Sequence, residues 1–475
     1  MAVPDPLDLL RPLGLSRPLG LLRDAAWTAE QLGRSALGQE RLRVAVTGLS
    51  RSGKTVFITS LLANLLAAGQ GRRVLPELEQ ASGGRLRDVR LVPAVAQTVP
   101  RFDLSGHMAA LAADPPSWPG RTDDLSTVEL TLTLERASWF GSGLLGRRTV
   151  TLELLDYPGE WLLDLPMLSQ DYAAWSAATL ARMRREPRLS VAAEFLAFAD
   201  ALPAAAPPEE ALARRGFVLY RDALRTLRDD LGMRLLQPGR TLNPGPGGEA
   251  PILWFFPLPH PDGGGLADLL RQRFDAYLAD QRESFFEPYF RRFRRQAVLV
   301  DVLGALHAGQ AAFEDTADAL AAIAGALRAE ESWLDRLLGV GPERVAFAAT
   351  KADHVPSRQR DALAALLGSL VGGAEPAAEA SSVHVLASVR CTEDDVATLD
   401  GRPVAAVRGV LLENGRSARV YPGEVPLRRP EPGFWAHGFF RMPEFQPPRL
   451  DPAGAAGVPH LGLDALLARL IGDLL

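Results

Sequence analysis

A chain of 475 residues that is 47% hydrophobic carries enough apolar side chain for a sizeable core, and its length corresponds to about two or three domains. Its formal net charge of −5 gives no overall attraction for nucleic acid or for an acidic membrane surface, so neither is expected as a partner. A single cysteine, Cys391, leaves no internal disulfide, excludes cysteine-based metal sites and reads as a packed thiol.

The first 40 residues are expected to form an N-terminal helical segment. They open with acids and prolines (Pro4, Asp5, Pro6, Asp8) where a secretory leader would be basic and then continuously apolar. No uncharged apolar run reaches the roughly 18 residues needed to span a bilayer, so a soluble, cytoplasmic protein is expected.

The main domain begins with a strand at 43–47, and Val56 to Leu66 then repeats apolar residues at helical spacing. Between them, Gly48-Leu-Ser-Arg-Ser-Gly-Lys-Thr55 fits G-x-x-x-x-G-K-[ST] at every fixed position. Gly48 and Gly53 let the backbone of Ser50, Arg51 and Ser52 turn its N–H groups toward phosphate oxygens. Lys54 reaches the β- and γ-phosphates, and Thr55 offers a hydroxyl to Mg²⁺. The chain has just two lysines, Lys54 and Lys351. Each falls where a compact ammonium, which a planar guanidinium cannot replace, is needed.

Further along, Ser117 to Leu125 offers Thr122 as the threonine that completes a Mg²⁺ shell. Strands at 127–135 and 149–156 form a hairpin across the glycine-rich turn Gly141 to Gly146. The second of them ends in Asp156-Tyr-Pro-Gly159, an Asp-x-x-Gly at a strand end. Asp156 would act on Mg²⁺ through water, and the Gly159 N–H would meet the γ-phosphate. Glu160 follows, either as a catalytic group beside the attacking water or as the acidic first residue of the next helix.

From 160 to 296 the chain makes an excursion too long for a loop. It carries helix-rich stretches at 164–202 and 209–236, a Pro/Gly-rich loop at 237–248, and a long helix from about 266. Arg291, Arg292, Arg294 and Arg295 close it as a basic cluster, read as a solvated helix end, an arginine finger or a lipid-facing patch.

Strands are expected again at 297–303, 344–350 and 382–387, with a helix at 310–328. Thr350-Lys-Ala-Asp353 lies at a strand end, where Asp353 would accept from guanine N1–H and the exocyclic amine while the stem of Lys351 covers the base. Adenine lacks that donor pair and would leave the carboxylate unsatisfied. Ser388 and Val389 stand where backbone would touch the guanine. Residues 411–475 are expected to add a hairpin around Asn414-Gly415 and a docking helix at 461–475. The seven histidines show no paired metal-ligand spacing and read as structural or exposed.

The expected fold is α/β, a Ras-like P-loop domain in two parts (41–159 and 297–410) with a helical insertion at 160–296 and one antiparallel edge strand. On VTGLSRSGKTVFITSLLANLL from Val46, LLDYPGEWLLDLPML from Leu154, WFFPLP from Trp254, VLVDVLGALHAGQ from Val298, ATKADHV from Ala349 and the tail from Pro459, the chain resembles the YcjX-like proteins of bacteria. The resemblance implies a Mg²⁺-dependent GTPase, associated with stress or phage-shock regulons, binding GTP and GDP in the cytoplasm. Self-association is a further partner class, as is a membrane protein that would hold the chain at the inner membrane. Arg121 departs from the family pattern, which has Ser before the Thr that aligns with Thr122. A nucleotide-gated scaffold with little turnover is the alternative; an ATPase is disfavoured by Asp353.

Overall fold

The computed structural model describes residues 39–93, 100–120, 125–135, 146–245, 248–290, 292–293, 295–328, 343–372, 381–437, 440–451 and 456–475. The expected N-terminal helical segment lies outside the described residues as far as 38, and its last two residues, 39 and 40, open the first strand; Thr122 and most of the Gly141 to Gly146 turn also lie outside the described residues.

Seven strands form one sheet: β1 (Gln39–Gly48), β2 (Leu86–Leu91), β3 (Ser126–Glu135), β4 (Arg147–Asp156), β5 (Arg295–Val300), β6 (Arg344–Ala349) and β7 (Ser381–Val385). Their spatial order is β2-β3-β4-β1-β5-β6-β7. β3 is antiparallel to both neighbours, and the other pairs are parallel. The antiparallel strand is thus not the last one. β2, whose sequence Leu-Arg-Asp-Val-Arg-Leu is too charged to announce a strand, lies beyond it and buries little besides Val89. The strand expected at 297–303 stops at Val300, because Asp301 caps a short helix, Val302–Ala308, by accepting from Gly304 N–H at 2.8 Å.

Side chains alternate across the sheet and feed two cores. Leu42, Val44 and Val46 pack with Phe57 and Leu61 of α1 (Lys54–Gly69) and with the C-terminal helix, while Ala45 and Leu155 face the other core. The helices divide between the two faces. A short helix, α2 (Leu104–Ala112), precedes β3 on the α1 side; α3 (Tyr172–Met183), α4 (Glu210–Asp229) and α5 (Leu266–Gln281) make up most of the excursion after β4. α6 (Gln310–Arg328) and α7 (Arg360–Leu370) complete this layer. The excursion is held by buried aromatic side chains, with Trp175 against Tyr220, Phe255 and Phe274 at ring separations of 5.4 to 6.4 Å.

Beyond β7, a second sheet of three antiparallel strands runs β10-β9-β8, with β8 (Thr392–Leu399), β9 (Arg402–Val410) and β10 (Ser417–Val420). The expected turn at Asn414-Gly415 joins the last two. A second turn, Asp400-Gly401 with φ of 49° and 77°, joins the first two. The chain ends in α8 (Leu463–Ile471), docked by Leu463, Leu466 and Leu470. Arg295, expected in a solvated basic cluster, instead pairs with Asp473 at 2.6 Å and donates to Leu470 O, tying β5 to that helix; Arg291 and Arg294 lie outside the described residues. Among the described residues no helix is long and apolar enough to cross a membrane.

Candidate functional site

β1 ends at Gly48 and α1 starts at Lys54, so the loop between them sits at the carboxyl edge of the sheet. Arg51 and Gly53 take φ of 65° and 79°, which turns successive N–H groups to one side. The loop is closed by Ser52 N–H donating to Leu49 O at 3.0 Å. Gly48 has no room for a side chain, since a Cβ would lie 2.2 Å from Ser52 Oγ and 2.9 Å from Leu299.

Lys54 Nζ contacts Asp156 Oδ1 at the end of the neighbouring strand β4. Asp156 is 2% exposed, and burial pushes its carboxyl up from the ordinary range against the pull of Lys54 and of the more remote His107 on α2. Its second oxygen, Oδ2, is buried without a hydrogen-bond partner among the described residues, and so is the hydroxyl of Ser126, the residue opposite in register. A buried carboxylate oxygen without a well-formed hydrogen bond, with the Ser126 hydroxyl opposite it in register and Thr55 next in the chain to the lysine that contacts Asp156, fits a hard divalent cation with bound water, which favours oxygen ligands.

Gly159 abuts the phosphate loop directly. A Cβ there would fall 2.1 Å from Gly48 O and 2.8 Å from Leu49 N, so the approach requires glycine. Glu160 is half-buried in the first turn of the 3₁₀ segment Gly159–Asp164, the place of an acidic helix start.

The second lysine occupies the left-handed region at φ 60°, and its Nζ lies 2.6 Å from Asp301 Oδ2. Asp353 is 1% exposed. One of its oxygens lies 3.1 Å from His354 Nδ1; the other accepts from the Cys391 N–H at 2.8 Å and from its thiol at 3.0 Å. Burial raises this carboxyl, but His354 and Cys391 outweigh it and hold it below the usual range. Asp353 and Thr350 line a cleft of about 210 Å³ that opens beside Ser52 and Gly53, with Ser388 and Val389 on its wall. The phosphate loop and the Thr-Lys-x-Asp element therefore share one cavity.

Sequence reading missed four residues of this site. Trp118 and Phe445 face the cleft as aromatic walls, Trp118 Nε1 donating to Phe445 O at 2.9 Å; the first sits in an unpatterned segment and the second is over 300 residues away in the chain. Asp301 was read as strand interior, although an acid before Val-Leu-Gly could have marked a helix cap. Arg234 comes from the excursion, where nothing local distinguishes it among many arginines. Burial pushes its guanidinium down, and Asp301, Arg51, Glu160 and Asp315 act on it electrostatically. The expectation of no cysteine-based metal site rested on the cysteine count alone; Asp353, His354 and Cys391 bring three different ligand atoms within 4.8 Å of one another.

The family profile described as YcjX-like matches residues 42–475. A protein of Escherichia coli (strain K12) named "Ras-like GTPase YcjX" is 36% identical over 448 residues, covering 91% of this chain and 95% of the relative. One of the same name from Shewanella oneidensis is 34% identical over 458 residues, covering 91% and 94%.

Proposed function

The chain belongs to the YcjX-like family, and from that premise we propose that it is a Mg²⁺-dependent GTPase that works as a slow, nucleotide-dependent switch. The observation that carries this reading is the single cleft that joins Asp353 to Ser52 and Gly53 of the phosphate loop. In this reading Gly48 to Thr55 cradle the phosphates, and Lys54 leaves Asp156 to meet the β- and γ-oxygens. Thr55, Asp156 through water, and Thr122 hold Mg²⁺, whose role when bound is to neutralise charge on the β- and γ-phosphates. Gly159 offers its N–H to the γ-phosphate. Asp353 takes the two guanine donors by giving up the thiol or imidazole contact it holds, Lys351 and Trp118 cover the base, and Ser388 and Val389 touch it through backbone.

The excursion at 160–296 is the output, because it begins at the residue after Gly159. Service in a bacterial stress response, a cytoplasmic location, self-association and a membrane-protein partner belong to the same proposal. Titrating GTP, GDP and ATP with Mg²⁺, then following phosphate release over hours, tests it. Guanine nucleotides are expected to bind at least about tenfold tighter than adenine ones, since adenine leaves a buried acceptor unpaired at a cost of about 1–3 kcal/mol. Equal affinity for GTP and ATP overturns the specificity; tight GTP binding with no phosphate released turns the reading into that of a nucleotide-gated scaffold.

A further inference from the structure

We propose that Asp353, His354 and Cys391 form a binding site for a thiophilic divalent cation of the zinc class, and that this cation and guanine exclude one another. The ligand types are those that zinc takes: carboxylate oxygen, imidazole nitrogen and thiolate sulfur. The contacts already present are Asp353 Oδ1 to His354 Nδ1 at 3.1 Å and Asp353 Oδ2 to Cys391 Sγ at 3.0 Å, with all three ligand atoms within 4.8 Å of one another. Zinc bonds of about 2.0–2.3 Å in a tetrahedron separate ligands by roughly 3.3–3.7 Å, so the close pairs must open by about half an ångström and the widest must close by about one to admit the ion.

The surroundings hold the three groups in place. Asp353 is fixed by the Cys391 N–H and by Thr392 Oγ1 on its carbonyl. The His354 backbone N–H donates to Lys351 O at 2.9 Å, and its ring packs edge-on against Phe445 at 5.0 Å. One carboxylate and one thiolate offset a dication, which is what a buried site requires. Asp353 and His354 both face the base cleft, so a fourth ligand position opens there, as in zinc sites that keep a water.

On binding, the Cys391 thiol releases its proton to solvent, the S–H···Oδ2 hydrogen bond is lost and a metal–sulfur bond forms. Exclusion follows from position: Asp353 and His354 both line the cleft, so an ion held between them, with its remaining ligand position turned into that cleft, stands where guanine would approach the carboxylate. The exclusion rests on the reading of Asp353 as the guanine acceptor; ion binding does not.

The experiment uses the untagged full chain with Cd²⁺ as the spectroscopic probe, because Cys391 is the sole cysteine and any thiolate-to-cadmium absorption must come from it. Cadmium is expected to raise that ultraviolet band to saturation at one ion per chain, and Zn²⁺ to displace it. Cys391→Ser should abolish the band, and His354→Ala should weaken affinity at least tenfold, both variants keeping the wild-type circular dichroism. Saturating Zn²⁺ should raise the GDP dissociation constant at least tenfold in wild type and leave it unchanged in Cys391→Ser. No band, or a band with undiminished affinity in folded His354→Ala, overturns the site; a band with GDP affinity indifferent to Zn²⁺ overturns the exclusion. If the chain bound no guanine nucleotide at all, the base reading would fail, and the cadmium band would still decide the site.

Discussion

The carboxylate of Asp164 accepts the N–H of Gly239 at 2.8 Å, tying the segment that follows Asp-Tyr-Pro-Gly to the far loop of the excursion. The approach is close enough that a Cβ on Gly239 would sit 2.1 Å from Glu160 O. Around it, Tyr277 donates to the other oxygen of Asp164 at 2.5 Å, Gln237 Nε2 donates to Leu163 O at 2.6 Å, and Asp315 of α6 accepts from the N–H groups of Arg234 and Leu235 at 2.6 and 2.8 Å. The segment after Gly159 is thus joined to the loop that carries Arg234 by hydrogen bonds rather than by loose chain.

Burial pushes the Asp164 carboxyl up to about 6, above its unfolded value near 3.9. The folded state thus holds the proton more tightly, and the stability this contributes is full below about pH 4 and is lost as pH rises through about 6. Two pKa units correspond to about 3 kcal/mol. Urea unfolding of wild type and Asp164→Asn at pH 4.5 and pH 7.5 is expected to show the wild-type advantage shrinking by roughly 2 kcal/mol over that interval. A difference that does not change with pH would show that Asp164 titrates normally.

Lys54→Ala removes the ammonium that would meet the phosphates and that pairs with Asp156 in the nucleotide-free chain. Two charge-assisted contacts at about 1.5–3 kcal/mol each predict a loss of triphosphate affinity of about a hundredfold or more. Asp156, left buried without its counter-charge, should take up a proton more readily, so the variant's loss of stability should be larger at neutral than at acid pH. Calorimetric titration with GTP, alongside thermal unfolding at two pH values, measures both; wild-type GTP affinity in a folded variant would refute the assigned role.

The phosphate loop was legible in the sequence because it is local: strand, glycine turn and helix are contiguous from Arg41 to Leu66. So were the parallel strands with continuous apolar runs, and Asp156 and Asp353 at strand ends. β2 escaped because an outer strand buries one face and can be built from charged residues, here Arg87, Asp88 and Arg90. Trp118, Phe445 and Arg234 escaped for a different reason. Each reaches the site by tertiary packing across long chain separations, and no periodicity or spacing records such a meeting.

Asn64 lies on α1 with no exposure, its Oδ1 accepting from Val458 N–H at 2.9 Å and its amide donating to Val458 O at 3.1 Å. The phosphate-loop helix is clasped in this way by the chain's last segment, which also bridges Ala387 through Leu461 beside Ser388. Asn64→Ala leaves a buried N–H and C=O unpaired, at about 1–3 kcal/mol each. A loss of about 2–4 kcal/mol in denaturant unfolding is expected; a change within about 0.5 kcal/mol would mean that the tail does not support α1.

If the chain hydrolyses GTP as proposed, Arg234 and Glu160 are the residues expected to set the rate. A Ras-like active site gains most of its acceleration from positive charge on the γ-phosphate oxygens, an arginine supplying about 10³–10⁵ where it is in place. Arg234 is a half-buried guanidinium on which Asp301, Arg51 and Glu160 act electrostatically, carried by a loop tied to the segment after Gly159. Glu160 replaces an amide with a carboxylate near that phosphate and opposes its charge. In single-turnover hydrolysis, Arg234→Ala is expected to be at least about a hundredfold slower with a smaller change in GTP affinity, and Arg234→Lys not to recover it, because an ammonium cannot present the planar fork. Glu160→Gln should equal or exceed the wild-type rate. If Arg234→Ala turns over as wild type does, the accelerating charge comes from potassium, from a second copy of the chain or from a partner's arginine; if Glu160→Gln and Glu160→Ala both match wild type, Glu160 serves as the acidic start of its 3₁₀ turn and not in the chemistry.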